Sequence, residues 1–477
     1  MKSNFKGHPL MILSFLKPYL FVLVIPVIKG AVQFLLTHRI SGVLSFEIYL
    51  FSAILLLAAA RWLSFSVTLK KDVITVSRGL IFKTKAKINI IKLSSIVKSV
   101  NPLQSALKAV SFCLNTEAGD IDESDFKFIL GKKSAEKLSV AVYGEAGNDI
   151  IRYSNPKIAL FSVSSSSALT GIIIAAPVIN RAGKLLNIAI TEMILDEIDN
   201  FSNKFMKYFP PAVTALTVIL LTAYGISFLI AFCKNITFRL NLDKERTEII
   251  SGLITKKRTV FSKKCLNDLM IVQTPIMRFV KKYSLYASVG GYGNSKSEKA
   301  VIIPCGNHHE MKQQFKAFYP DFADEKPFLS AEKSERSYKR FVYLPKLYGI
   351  LIAAGAIALM VLFRHFDRFV LFLASIGGLI DLYYADLCKC NYNKGKVSLS
   401  EIIRARGSKG FKFCEMYCER EKVGDIKITE TPADRKLGTC KVKFIVRSES
   451  ADNLKVRNLE KTALLKEIGE NFGIKGL

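Results

Sequence analysis

Histidine is scarce in this chain of 477 residues, with five copies at His8, His38, His308, His309 and His365. None stands four residues from another, the spacing that sets two ligands on one helix face. The densest cluster, His308-His309-Glu310, puts neighbours about 100° apart on a helix and reads as a solvated helix start. Cysteine is too dispersed for a secreted disulfide framework: nine, an odd number, run from Cys113 to Cys440 and read as reduced thiols. Neither Cys388-Lys389-Cys390 nor the Cys414 and Cys418 pair has the two-residue separation of a zinc knuckle. Gly290-Gly291-Tyr292-Gly293-Asn294 has no Lys-Ser/Thr after it, so it reads as a strand turn and not a phosphate cradle. Acidic residues are also short, 40 against 69 basic, leaving a net charge of +29. These absences point away from an enzyme and from any metal or cofactor. Nucleic acid would suit the charge, but no recognition helix or stacking motif is present, and no nucleic-acid partner is expected. An anionic membrane surface is the nearer polyanion.

The chain is rich in apolar residues, at 50% of its length with 11% aromatic, and its mean hydropathy is +0.25. That excludes disorder and sets it apart from an ordinary soluble enzyme. Two uncharged runs, Ile158 to Asn180 and Tyr208 to Cys233, are long enough to cross a bilayer as helices. Weaker runs are Leu10 to Ile28, Val43 to Ala60, Leu347 to Phe363 and Phe369 to Ala385. The expected plan is six transmembrane helices in three pairs, each pair followed by a soluble module. The boundaries are 1–60 (helical pair), 61–157 (module), 158–233 (pair with an outer amphipathic loop), 234–318 (module), 319–340 (linker), 341–385 (pair) and 386–477 (module). The stretches 61–157, 234–340 and 386–477 carry net charges of +7, +10 and +7. Arg61, Lys157, Lys234, Lys339 and Arg340 flank the runs on the module side, so both termini and all modules are expected in the cytoplasm. Trp62 beside Arg61 suits the headgroup layer as an interface anchor, or else belongs to the core of the first module. Leu186, Ile190, Met193, Ile194, Ile198, Phe201 and Phe205 make one apolar helical face in the outer loop. Glu47 and Asp381 are ionisable groups inside runs, where such groups are costly and often functional.

The three soluble stretches repeat. Gly79-Leu80-Ile81 precedes Pro102 by the interval that separates Gly252-Leu253-Ile254 from Pro275. Asp268, Ile271, Thr274, Pro275 and Arg278 recur in register as Asp425, Ile428, Thr431, Pro432 and Arg435. β-branched runs leading to glycine signal hairpins, and each copy closes on a helical pattern. Together they describe an α+β module, a curled sheet or small barrel closed by a C-terminal helix. The corner residues Pro102, Asp268, Pro275, Arg278, Asp425, Pro432 and Arg435 read as structural, with each Asp and Arg expected to pair across the Thr-Pro turn.

With Arg78-Gly79-Leu80 and Ser251-Gly252-Leu253, the basic strand after each, and the Asn101-Pro102-Leu103-Gln104 and Thr274-Pro275-Ile276-Met277-Arg278 corners, the chain resembles bacterial membrane proteins of the YdbT type, which carry repeated PH-like domains after pairs of membrane spans. The third copy departs from the hairpin pattern at Arg406-Gly407-Ser408-Lys409-Gly410. The resemblance implies PH-like β-barrels capped by a C-terminal helix and no catalytic residues. Alternation places Lys83, Lys85 and Lys87 on one strand face, and Lys256, Lys257 and Arg258 form a second basic run. Under an anionic leaflet each such residue gains on the order of 1 kcal/mol. The expectation is a non-enzymatic scaffold of the bacterial cell membrane that binds inner-leaflet lipids, a protein partner or further copies of itself, in envelope stress or antimicrobial peptide resistance. The alternative is a transport or export component whose modules regulate the spans.

Overall fold

The computed structural model describes residues 2–16, 42–80, 82–116, 126–143, 150–173, 211–243, 245–290, 299–318, 329, 343–362, 367–394, 396–446 and 453–472, with a few single positions between them. The amphipathic run from Leu186 to Phe205, most of 319–340 and the part of the first apolar run beyond residue 16 lie outside the described residues. The chain divides into two compact units: Met1–Ile151 with Arg239–Cys265 and Val289–Glu298, and Arg152–Phe238 with Leu266–Ser288 and Lys299–Leu477.

In the first unit β1 (Lys2–Lys6) is followed by α1 (Gly42–Leu63) and by β2 (Ser66–Lys70), β3 (Val73–Arg78) and β4 (Thr84–Asn89), a four-stranded sheet in the order β1-β2-β3-β4. Alternation along β3 sends Ile74 and Val76 inward. The β3–β4 turn requires glycine: Gly79 has φ +111°, and a Cβ there would lie 2.0 Å from the Phe82 carbonyl oxygen. β5 (Leu93–Val100), α2 (Pro102–Ala106), β6 (Ala109–Thr116), β7 (Phe126–Gly131) and α3 (Lys132–Tyr143) complete the first repeat. A bridge from Gly7 to Leu130 of β7 lets β1 join the module's two sheets over a shared core of Phe5, Ile74, Phe112, Leu114, Phe128, Leu130 and Leu138.

β8 (Ile150–Arg152) is separated by α4 (Asn155–Ser165) and α5 (Pro211–Asn235) from β9 (Arg239–Leu242), β10 (Arg246–Ser251) and β11 (Lys256–Ser262). These strands of the second repeat extend the first repeat's sheet, in the order β7-β6-β5-β11-β10-β9-β8. The rest of the second repeat belongs to the second unit: β12 (Leu266–Gln273), α6 (Pro275–Phe279), β13 (Tyr283–Val289), β14 (Ala300–Gly306) and α7 (His308–Phe318). After α8 (Leu344–Leu362) and α9 (Asp367–Lys394) come β15 (Lys396–Ser398), β16 (Ile402–Lys409) and β17 (Lys412–Glu419), which join the sheet β14-β13-β12-β17-β16-β15. β18 (Val423–Thr429), α10 (Pro432–Lys436), β19 (Thr439–Val446), β20 (Asn453–Glu460) and α11 (Lys461–Phe472) close the chain. The third repeat thus has the full element order of the first two. Its hairpin is shortened to Gly410-Phe411, Gly410 having φ +61°. At Gly407, β16 crosses β20 so closely that a Cβ would meet the Lys455 carbonyl oxygen at 2.5 Å.

Two regularities organise the repeats. Each helical insertion is bracketed by paired backbone: β1 with β2, β8 with β9, and Leu329 with Val397 of β15. The last strand of each later repeat's first sheet also pairs with the first strand of the preceding repeat's second sheet. β11 pairs β5 from Lys256↔Val100 to Phe261↔Ser95, and β17 pairs β12 from Phe413↔Gln273 to Tyr417↔Leu269. The register is the same in both seams, with Val100 and Gln273 each two residues before the corner proline.

Three helices are long and apolar enough to cross a membrane, Leu216–Asn235, Leu344–Leu362 and Val370–Asn393, and Phe51–Leu63 of α1 is a shorter apolar helix. The run Ile158 to Asn180, expected as one of the two firmest spans, opens differently. α4 ends at Ser165 and its Ile158 and Phe161 are buried, Phe161 clustering with Met277 and Cys305. Apolar length alone does not separate a helix facing lipid from one facing protein, and the first part of this run is covered by the second repeat.

Candidate functional site

A groove recurs where the corner helix meets the start of the closing helix. In the first repeat it is a cavity of about 800 Å³ bordered by Lys98, Lys108, Lys132 and Lys133 and by a single carboxylate, Glu136. It is built from turn geometry. Lys108 sits at φ +52°, after α2, and its carbonyl accepts from the Lys132 amide at 2.8 Å. The third repeat builds the same joint with Gly438 and Lys461, 3.0 Å, beside a smaller cavity of about 400 Å³ lined by Glu430, Arg435 and Lys461. Burial and then the neighbouring Arg258 hold Lys98 below the ordinary lysine range, against the pull of Glu136. Four ammonium groups around one opening suit an anion.

The basic strands separate into two environments. Lys83, Lys85 and Lys87 are exposed along the outer strand β4, with Lys85 and Lys87 sharing a face. The β3–β4 tip beside them exposes Leu80 and Phe82. Lys256 is exposed, Lys257 lies 5.7 Å over the Tyr292 ring, and Arg258 pairs with Glu248. Of the second run, then, Lys257 and Arg258 serve the sheet and its loop as well as solvent. Tyr292, from the glycine-rich segment, packs edge-on against Phe261.

The three corners are capped helix starts. Asn101 and Gln104 form a reciprocal box, Thr274 accepts from the Met277 amide, and Thr431 and Asp434 form a second box around Pro432. The expected Asp268–Arg278 pairing is not what the corner uses. Six residues of extended strand separate Asp268 from Thr274, about 20 Å. Asp268 is fully buried, whereas Arg278 reaches Asp386 of α9 at 2.7 Å. Arg435 lies 3.8 Å from Glu430, and Asp425 is at the far end of β18. A double-mutant cycle should find coupling of about 0.5–1 kcal/mol between Arg278 and Asp386, a half-exposed pair. Arg278 and Asp268 should be additive within about 0.5 kcal/mol. Thermal unfolding of Arg278→Ala, Asp386→Ala, Asp268→Ala and the two double variants gives both values.

Helix ends meet the repeats through aromatic residues. Trp62, on the last turn of α1, donates its indole N–H to the Gly7 carbonyl at 2.7 Å and packs against the first core, while Arg61 is exposed. On α9, the apolar surface of Leu371, Leu373, Ile376, Leu379 and Leu382 gives way at Tyr383 to the buried Leu387 and Cys390, which cluster with Phe413. Tyr383 donates to the Phe411 carbonyl at the β16–β17 tip, where Phe411 is 55% exposed between Lys409 and Lys412. Asp381 lies against Gly349 of α8, where a Cβ would be 2.6 Å from its carboxylate. Gly349 is five residues into α8, about 8 Å from its start. The side chain of Glu47 lies outside the described residues.

The residues that sequence reasoning missed are ionic and buried. Arg404 and Arg406 of β16 both pair with Glu415 of β17, the second at 2.8 Å, and the Tyr417 hydroxyl donates to the same carboxylate. Arg404 stacks over the Tyr417 ring at 5.3 Å, and that ring packs on Phe315 of α7 at 4.2 Å. Burial first and then the Glu415 charge raise the Tyr417 hydroxyl above the ordinary tyrosine range. Cys414 and Cys418 face the other side of β17, into an apolar core, and burial pushes Cys414 up to about 11. His308 packs edge-on to Tyr283, and Glu310 caps α7 through the Asn307 amide and binds Lys157 at 3.0 Å. No group of three or more metal-ligating side chains gathers among the described residues.

A family model described as "Bacterial PH domain" matches residues 15–146 and 185–317, more than half of the chain. No curated protein and no solved structure matches.

Proposed function

The chain belongs to the bacterial PH domain family, and from that premise we propose that it is a multi-pass scaffold of the bacterial cell membrane, holding three PH-like modules against the cytoplasmic leaflet to bind anionic headgroups or partner proteins. The observation that carries this reading is the paired backbone around each helical insertion. A segment whose two ends are held in one antiparallel pair must leave and return on the same side, so it crosses an even number of times. Three insertions of this kind support a reading in which the three modules, and the strand β1 that precedes the first, share one side. The positive flanks favour the cytoplasm as that side.

The passage of α9 from an apolar surface to a docked end supports a fixed module, and Tyr383 at that passage suits the preference of tyrosine for the headgroup layer. Lys409, Lys412 and the basic groove of the first repeat then offer cations to lipid phosphate. The physiological setting we propose for such a surface is envelope stress or antimicrobial peptide resistance. Asp381 is the feature that would serve a transport component instead, but Gly349, against which it lies, is near the end of its helix, within reach of water.

Single cysteines at Lys71, Lys436 and Ser202, in a variant lacking the native nine, test the arrangement with a membrane-impermeant maleimide. Labelling of Ser202→Cys alone in intact cells, with Lys71→Cys and Lys436→Cys labelled after lysis, is the expected result. Labelling of position 71 or 436 from outside would refute it.

A further inference from the structure

The two seams inside this chain leave one half-seam at each end. The edge that β11 and β17 present to the preceding repeat is presented by β4 in the first repeat, and β4 ends its sheet, with no further strand beyond it among the described residues. The edge that β5 and β12 present to the following repeat is presented by β18, which likewise ends its sheet. A strand edge is a row of backbone donors and acceptors that templates another strand. We propose that copies of this chain join head to tail, β18 of one copy pairing with β4 of the next, in the register already used twice within the chain.

That register is specific. In the first seam Arg258 stands opposite Lys98, and in the second Glu415 stands opposite Ile271. The corresponding positions of the free edges are Lys85 and Ile428, flanked by Lys87 opposite Ile426 and Lys83 opposite Glu430. Charge favours this pairing over its rivals. β4 and its turn bring three lysines, Lys83, Lys85 and Lys87, so two β4 edges repel when laid together. β18 and its flanks carry Asp425, Glu421 and Glu430 among Lys422 and Lys427, an edge that tolerates the lysines of β4. The contact is heterologous, so it closes into a ring if the rotation permits and extends in a row along the membrane otherwise.

Two full-length variants with different tags, Lys85→Cys and Ile428→Cys, are co-expressed, purified in nanodiscs formed from native membranes and mildly oxidised. Eight of the nine native cysteines are buried, so the wild-type chain under the same oxidant gives the background. The expected result is a disulfide between the two tagged chains, several-fold above that formed when Lys427→Cys replaces Ile428→Cys, because a one-residue slip turns the side chain to the other face. The mass of the untreated wild-type particle should exceed one copy. A single-copy mass without cross-linking would overturn the proposal, as would equal cross-linking at 427 and 428 or a dominant Lys85→Cys homodimer. A particle of one copy with correct cysteine topology would leave the scaffold reading standing and remove only this inference.

Discussion

Glu415→Ala is expected to destabilise the β16–β17 region by about 3–5 kcal/mol, because it leaves Arg404 buried with its charge uncompensated. The Arg404 side chain is 4% exposed and that of Glu415 8%, so neither is rescued by water. Tyr417 loses its acceptor in the same change, and its contact with Phe315 ties the loss to the closing helix of the second repeat. The measurement is denaturant unfolding in detergent, read by hydrogen exchange at the amides of β16 and β17. The triple variant Arg404→Met, Arg406→Met, Glu415→Leu should recover most of the stability, since apolar residues of similar volume replace a buried ion cluster at little cost. A Glu415→Ala protein within 1 kcal/mol of wild type would mean that water reaches the cluster.

The second large effect is expected at the opposite end of the sequence. Phe5 is 5% exposed and belongs to the first core, although some 60 residues separate it from the next strand of its sheet. Phe5→Ala should cost about 3–5 kcal/mol, the usual range for removing a buried aromatic side chain. The loss should fall on β2 and β7, the two elements that β1 joins, and leave exchange in β19 and β20 unchanged. Ser3→Ala on the same strand should stay within about 0.5 kcal/mol. If Phe5→Ala were equally silent, β1 would be an ornament on the module, and its pairing with β2 would no longer support a common side for the first insertion.

Much of the repeat was legible because it rests on local chemistry. Gly79, Gly252 and Gly410 mark turns that require positive φ, and the Asn101, Thr274 and Thr431 corners are capping sequences that act within four residues. The alternation of Lys85 and Lys87 with Ala86 and Ile88 fixed which face of β4 is wet. The third copy was harder to read because its two-residue turn removes the intervals on which the comparison of the first two depends.

The groove of the first repeat was not legible. Lys98, Lys108, Lys132 and Lys133 span 36 positions and come together only when β5, the α2 corner and α3 meet. Arg278 finds Asp386 more than a hundred residues away, while the nearer Asp268 is carried off along a straight strand. Composition and periodicity by themselves pointed to apolar runs long enough to cross a membrane, a β-rich module repeated three times and a basic surface, since each of these depends on residue type at short spacing. Only the tertiary structure decided that the apolar run at Ile158 begins against protein, that backbone before each insertion pairs with the strand after it, and that neighbouring repeats share sheets. Strand edges pair through backbone groups that every residue carries, so no side-chain pattern announces which edge will find which.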